Sequence, residues 1–272
     1  DPRNGGGTHV RPALETFQRD LSEHLTMCDT CGCIPLARSK IYQFTSPLFS
    51  YPAKAHVETI QEQLPDTERW LSLLEDQPSL EAVRALREII ASYSWEQVET
   101  DYVQTFGHTI SKECPPYEAE YGQSHIFQKS HALADVVGFY NAFGLELDSG
   151  FKDRPDHISL ELEFMHFLCL KEAYGVVKDH DAGNLAVCRD AQTRFLDEHL
   201  GVWAFGFARR LHQKAAGTLY HATAQLLTAF LTFELHAMGR EPEETGVPDL
   251  MNEPDLETTD CEACPVLSPA PG

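Results

Sequence analysis

Asp156-His157, set between Arg154-Pro155 and the apolar run that starts at Ile158, is a residue pair with acid–base potential. A carboxylate beside an imidazole raises its basicity, and such a pair can move a proton in a reaction. No motif in the sequence places a nucleophile beside it. The chain has no G-x-S-x-G elbow, no G-x-x-x-x-G-K-[ST] phosphate loop and no G-x-G-x-x-G dinucleotide fingerprint. The plainer reading is structural. Pro155 disfavours helical backbone at Arg154, and Asp is a good helix N-cap. Asp156 is therefore expected to cap a helix beginning at His157, its carboxylate accepting from the amide of Ile158 or Ser159.

Two other constellations have ligand chemistry. Glu163-x-x-His166 is the spacing that puts a carboxylate and an imidazole on one helical face in di-iron bundles. Such sites need a second copy, and the chain contains no other E-x-x-H, so polar residues flanking a core stripe are the simpler account. The alternative is a metal-dependent helical-bundle oxidoreductase using Glu163 and His166. Cys28-x-x-Cys31 and Cys261-x-x-Cys264 have the two-knuckle spacing of a zinc site, with Cys33 as a spare ligand. Chain ends often lie close together in a compact domain, so four thiolates could meet there. A redox pair or untethered thiols are equally economical.

The elements that must position these residues read as helices throughout. Ile158, Leu162, Met165 and Cys169 recur at four, three and four, an amphipathic stripe on a helix reaching Gly175. Ala37, Ile41, Phe44 and Leu48 predict a first helix from Leu36, stopped at Tyr51-Pro52. Val57, Ile60 and Leu64 predict a second, Trp70, Leu71 and Leu74 a short third, and Val83, Leu86, Ile90 and Tyr93 a fourth. Ser94 with Gln97 is a capping box for a helix carrying Trp95, Val98, Tyr102 and Phe106, which Gly107 is expected to end in a left-handed cap. Cys114-Pro115-Pro116-Tyr117-Glu118 must be extended, because adjacent prolines cannot sit in a helix interior. Leu133 to Tyr140, Ala191 to Leu196 and Leu219 to Ala237 predict three more helices, the last stopped by Gly239 and Pro242. No strand-like alternation competes. The expectation is an all-α, single helical-bundle domain over 36–239 with flexible tails on both sides, a segment 1–35 containing the Cys-rich knot and an acidic, Pro-rich segment with the second CxxC over 240–272.

Composition narrows the function classes. The 272 residues carry 21 Lys+Arg against 42 Asp+Glu, a net charge of -21, which repels phosphate backbones and argues against general nucleic-acid binding. A basic partner segment would be attracted. The longest apolar run, around Leu226 to Phe233, is too short to cross a bilayer. Gly5-Gly6-Gly7 stands where a signal peptide would have its apolar core, and Met27 is a candidate start. These features predict a cytoplasmic protein whose eight cysteines are mostly reduced.

Three segments together resemble one family. They are Tyr102-x-x-x-Phe106-Gly107, the run from Cys114 through Pro115-Pro116-Tyr117-Glu118-Ala119-Glu120-Tyr121 to Gly122, and Arg154-Pro155-Asp156-His157-Ile158-x-x-Glu161-Leu162-x-Phe164-Met165. Over roughly Leu36 to Gly239 the chain resembles the TorD/DmsD/NarJ-type chaperones of molybdoenzymes. Its Pro-Pro-Tyr-Glu segment is most similar to members serving dimethylsulfide, selenate, chlorate or ethylbenzene oxidoreductases. The resemblance implies an all-helical, non-enzymatic cytoplasmic protein. It would bind the catalytic subunit of a DMSO-reductase-family molybdoenzyme, often at its twin-arginine leader, before export. It also implies help with inserting the bis-molybdopterin guanine dinucleotide, which belongs to the client, so the chaperone itself needs no cofactor. By the same resemblance Asp156, His157, Tyr102, Phe106, Pro116, Tyr117 and Glu118 would line the partner groove, with Glu161 orienting the loop. A structural adaptor is the remaining alternative.

Overall fold

The computed structural model describes residues 33–107, 113–121, 126–147, 153–178 and 182–242. Every regular element among them is helical, apart from one isolated β-bridge between Tyr117 and His157. The helices are α1 (Cys33–Thr45), α2 (Lys54–Leu74), α3 (Gln77–Ile90), α4 (Trp95–Phe106), α5 (Ile126–Ala142), α6 (Ile158–Val177), α7 (Ala182–Phe195), α8 (Gly201–Lys214) and α9 (Leu219–Ala237). Ser46–Phe49 and Glu118–Glu120 form 3-10 turns, and Leu196–Leu200 is a π-helical segment joining α7 to α8. The all-α expectation stands. No described helix is long and apolar enough to cross a membrane.

α6 is the axis of the bundle. Its stripe Ile158, Leu162, Met165 and Cys169 is fully buried as expected, but so are Leu160, Phe164, Phe167, Leu168 and Leu170 on the other faces. The amphipathic expectation is thus corrected: α6 is buried all round, packed between α1 and α7, as a helix with apolar residues on every side must be. Each enclosed Leu, Ile or Phe contributes about 1.5–3 kcal/mol of transfer free energy. Several of its polar groups are bonded, although His166 Nε2 and Glu161 Oε1 are buried without a hydrogen-bond partner. Glu172 accepts from Arg189 and Gln192, and the His166 Nδ1 lies 3.0 Å from the Ser39 carbonyl and 2.7 Å from its hydroxyl. A second group, α9 with α3, α4 and α8, closes the other side. Arg38 of α1 forks onto Glu234 of α9 at 2.7 and 2.6 Å, and the Tyr42 hydroxyl donates to the same carboxylate. One continuous apolar core runs from Leu36 to Leu235.

Local signals set most boundaries. The Ser94 hydroxyl accepts from the Gln97 amide while the Gln97 side chain accepts from the Ser94 amide, so the predicted capping box is present. Gly107 does end α4, but at φ 77 and ψ 178, outside the left-handed helical region and in one that only glycine enters freely. The predicted second and third helices are one, α2, which carries Pro65 inside it. Both sets of apolar positions lie on one buried face, Val57, Ile60, Leu64, Leu71 and Leu74, and that packing outweighs the hydrogen bond Pro65 cannot make.

Candidate functional site

The site is built where the extended segment after Pro115-Pro116 crosses the start of α6. Tyr117 has extended backbone, φ -132 and ψ 132, and pairs with His157 in the antiparallel bridge. The Glu118 amide donates to the Asp156 carbonyl at 3.0 Å, and the Ile158 amide donates to the Pro116 carbonyl at 3.0 Å. The second bond satisfies one of the amides that a helix start leaves without an internal partner.

Asp156 is not the cap. The capping acceptor is His157, whose Nδ1 takes the Ser159 amide at 3.2 Å and lies 2.7 Å from the Ser159 hydroxyl; α6 accordingly begins at Ile158. The fully buried Asp156 carboxylate turns instead to the crossing segment. It accepts from the Ala119 amide at 3.0 Å and from the Arg154 fork, Nε at 2.9 and Nη2 at 2.6 Å. A two-pronged guanidinium–carboxylate bond together with the Ala119 amide outweighs a single amide bond at the helix end, which is why the side chain is drawn away from it. Arg154 also donates to Glu120 at 2.7 Å, Lys129 donates to the other Glu120 oxygen at 2.9 Å, and the guanidinium lies 4.7 Å from the centre of the Tyr117 ring. Burial pushes the Glu120 carboxyl up, but the bonds from Arg154 and Lys129 outweigh it and hold the group below its ordinary value.

Around this junction the remaining predicted residues take distinct places. The Tyr117 hydroxyl donates to Asp153 at 3.0 Å, and Tyr140 donates to the Pro155 carbonyl at 3.0 Å. Tyr102 and Phe106 belong to an aromatic wall with Tyr51 and Tyr220, ring centres 4.9–6.1 Å apart. Burial, with the Asp153 charge, raises the phenols of both Tyr102 and Tyr117. Glu161 accepts from the Trp203 indole at 2.9 Å. Complete burial, reinforced by Glu118, pushes its carboxyl well above the ordinary range and favours the neutral acid. The Glu118 carboxylate receives the His199 Nδ1 at 3.1 and 3.2 Å. Of the eight predicted residues, Tyr102 and Glu118 are half-buried, and Phe106, Pro116, Tyr117, Asp156, His157 and Glu161 are buried.

Sequence reasoning missed Glu120, Lys129, His199 and Trp203. Glu120 stands in the quoted motif, and Trp203 belongs to an apolar cluster visible in the sequence, but nothing in the sequence marks His199. Glu163 and His166 belong to no grouping of three ligand side chains among the described residues, where the one such grouping is Asp135, Glu198 and His199. Burial lowers the His166 imidazole to about 4. Cys28, Cys31, Cys261 and Cys264 lie outside the described residues. Cys33, the spare ligand of the zinc reading, is disulfide-bonded, whereas Cys114, Cys169 and Cys188 are free and buried. A cavity of about 710 Å³ between α3, α8 and α9 is lined by Glu81, Phe205, His212 and Gln225 and by none of the eight residues.

Comparison with known proteins bears on the same region. The family described as "Nitrate reductase delta subunit" matches residues 74–209, half of the 272-residue chain and the whole of the junction. The chain is 25% identical over 214 residues to "Chaperone protein TorD" of Vibrio cholerae, covering 76% of this chain and 94% of that protein. It is 30% identical over 125 residues to the "Perchlorate reductase assembly chaperone protein" of Dechloromonas aromatica, 45% of this chain and 54% of that one. With the "Selenate reductase assembly chaperone protein" of Thauera selenatis it shares 39% identity over 79 residues, 29% of this chain and 39% of that one. The matches to these last two span about half of the relative or less.

Proposed function

This chain belongs to the nitrate reductase delta subunit family, the TorD-like molybdoenzyme assembly chaperones, and we propose that it holds a cofactor-free catalytic subunit in the cytoplasm until that subunit is loaded. Its family is one of chaperones, not of catalysts, which removes the oxidoreductase built on Glu163 and His166. The client in this reading is a reductase of the DMSO-reductase family. Recognition includes its twin-arginine leader, and holding the subunit open aids insertion of the molybdenum cofactor, which stays with the client.

The observation that carries the reading is the junction itself. Two backbone bonds and a part-buried Arg154–Asp156 fork fix the crossing segment over α6, so the surface beside it is pre-positioned. A rigid recognition surface loses less conformational freedom on binding than a flexible one. The division of labour is that Tyr102, partly open to solvent, contacts the client, while the Glu118 carboxylate, 12% exposed and bonded to His199, supports the segment from within. Asp156, His157, Glu161, Tyr117 and Pro116 set the crossing segment, and Phe106 packs against the Tyr102 ring. A basic leader also meets favourable long-range attraction from a chain of net charge -21.

Calorimetric titration with a synthetic twin-arginine leader peptide of a DMSO-reductase-family subunit tests this. Tyr102→Ala is expected to weaken binding at least about tenfold, the cost of one well-made contact, and Glu118→Gln, which disturbs only the support from within, by less, with the helical circular dichroism unchanged in both. Wild-type affinity in both variants would overturn the site assignment.

A further inference from the structure

We propose that Asp135 of α5 together with Glu198 and His199 of the π-helical segment forms a binding site for a divalent cation of the zinc class. One ligand atom from each residue falls in a group whose members all lie within 4.8 Å of one another. His199 carries the inference. Its side chain is 3% exposed and walled by Phe139 and Phe195, with ring centres 5.2 Å away on both sides. Its Nδ1 is engaged by Glu118 at 3.1 and 3.2 Å. Its Nε2 is buried with no hydrogen-bond partner, and it faces Asp135 Oδ2 at 3.6 Å, beyond hydrogen-bond reach.

That geometry is the one a metal-binding imidazole needs. A carboxylate on Nδ1 accepts its proton, fixes the tautomer and leaves the Nε2 lone pair free, which is how outer carboxylates orient ligand histidines. A buried ring nitrogen with no partner otherwise has only a desolvation cost to show. The 4.8 Å spread is wider than the roughly 3.4 Å edge of a tetrahedral site with bonds of about 2.1 Å. Closure requires only the two carboxylates to move, and their side chains are 53% and 42% exposed. Glu198 is at present held by Arg194 at 3.0 and 3.2 Å, a solvent-exposed pair one helical turn long that a divalent ion displaces.

One imidazole with two carboxylates suits zinc or a neighbouring first-row ion better than magnesium or calcium, which prefer oxygen ligands alone. Three protein ligands leave a fourth position for water. A local π-helical turn is what brings Glu198 and His199, adjacent in sequence, to one ion; such turns recur at functional sites. A bound ion would tie α5 to the α7–α8 corner and, through Glu118, to the crossing segment. The inference stands on these residues and not on the chaperone reading.

The test is calorimetry and thermal unfolding of the full chain with zinc chloride, in wild type, Asp135→Asn and Glu198→Gln. Zinc taken up by the other cysteines is common to all three proteins, so the component that differs belongs to this site. Both variants are expected to weaken that component at least about tenfold, in line with loss of a metal ligand or its partner. At a hundredfold excess over its dissociation constant the ion should raise the wild-type Tm by roughly 5–10 °C through this site, and the variants should lack that increment. His199→Gln should abolish the component; should it not fold, the two surface variants decide. Zinc uptake identical in wild type and both variants would overturn the site, and an equal Tm rise with magnesium chloride would overturn the assignment to the zinc class.

Discussion

Removing the Asp156 carboxylate separates a positioning role from direct recognition, and the structure gives the size of the effect. Asp156→Ala deletes three hydrogen bonds at a fully enclosed position. The Ala119 amide, itself buried, is left without an acceptor, at about 1–3 kcal/mol. Arg154 loses a charge-assisted fork. It keeps Glu120 and is 29% exposed, so water screens part of the loss and about 1–2 kcal/mol remains. The sum is about 3 kcal/mol, a Tm reduction of roughly 6–12 °C for a domain of this size. Urea unfolding of Asp156→Ala, Arg154→Ala and the double variant measures it, with a coupling of about 1–2 kcal/mol expected between the two side chains. Asp156→Asn keeps an acceptor for Ala119 and should lose about half as much. On the proposed division of labour it should also retain most of the client affinity that Asp156→Ala loses, because an enclosed carboxylate can act by shaping the segment. A loss below about 1 kcal/mol in Asp156→Ala would refute the junction as the fixing element, and equal loss of client affinity in the Asn and Ala variants would refute the positioning role.

His166 makes the fold acid-sensitive. Its folded value of about 4 lies below the roughly 6.5 of an unfolded chain, so the unfolded state takes up the proton first. Stability is therefore full above about 6.5 and declines as pH falls through 6.5 toward 4, by about 3 kcal/mol in all; urea unfolding of His166→Gln between pH 7.5 and 4.5 should show a shallower slope than wild type, and parallel slopes would exclude the effect. Gly201→Ala addresses the π-helical corner, because a Cβ there would meet the Leu196 carbonyl oxygen inside contact distance. The backbone must shift to admit it, at about 1–3 kcal/mol, so a Tm unchanged within a degree would show that the corner relaxes freely.

What the sequence revealed follows the range of each interaction. The capping box at Ser94 and Gln97 is closed within one turn, and both halves of it can be read from residues three apart. The glycine stops after α4, α5 and α9 are equally local: Gly107, Gly144 and Gly239 all have positive φ. Two helices were expected where there is one α2, because periodicity reports which positions face the core and says less about whether the backbone between them breaks. The stripe on α6 was correct in its members and wrong in what it implied. Four apolar positions at helical spacing identify a buried face, but burial of the opposite face depends on α1 and α7 packing there, and polar residues such as Glu161 and His166 conceal it.

The Asp156 cap shows the same limit in its sharpest form. By local rules an Asp before a helix accepts from the amides two or three residues on, and those amides are present. It does not do so, since Ala119, 37 positions earlier in the chain, and the Arg154 fork compete for the same oxygens and satisfy the charge better. His157 then takes the capping role that Asp156 leaves vacant, so one distant contact reassigns two side chains. The bond between Glu118 and His199, across 81 positions, has no local signature at all. Resemblance to the family brought Tyr117, Glu118, Asp156 and His157 together as a set, but only the crossing of the two segments explains why. The carboxylate and the imidazole that looked like a catalytic pair have separate partners, one a guanidinium and the other Ser159 of its own helix. The chemistry of that pair is mechanical: it fixes the relation of two segments far apart in sequence, which is what a chaperone needs if the residues beside it are to meet a client in one conformation.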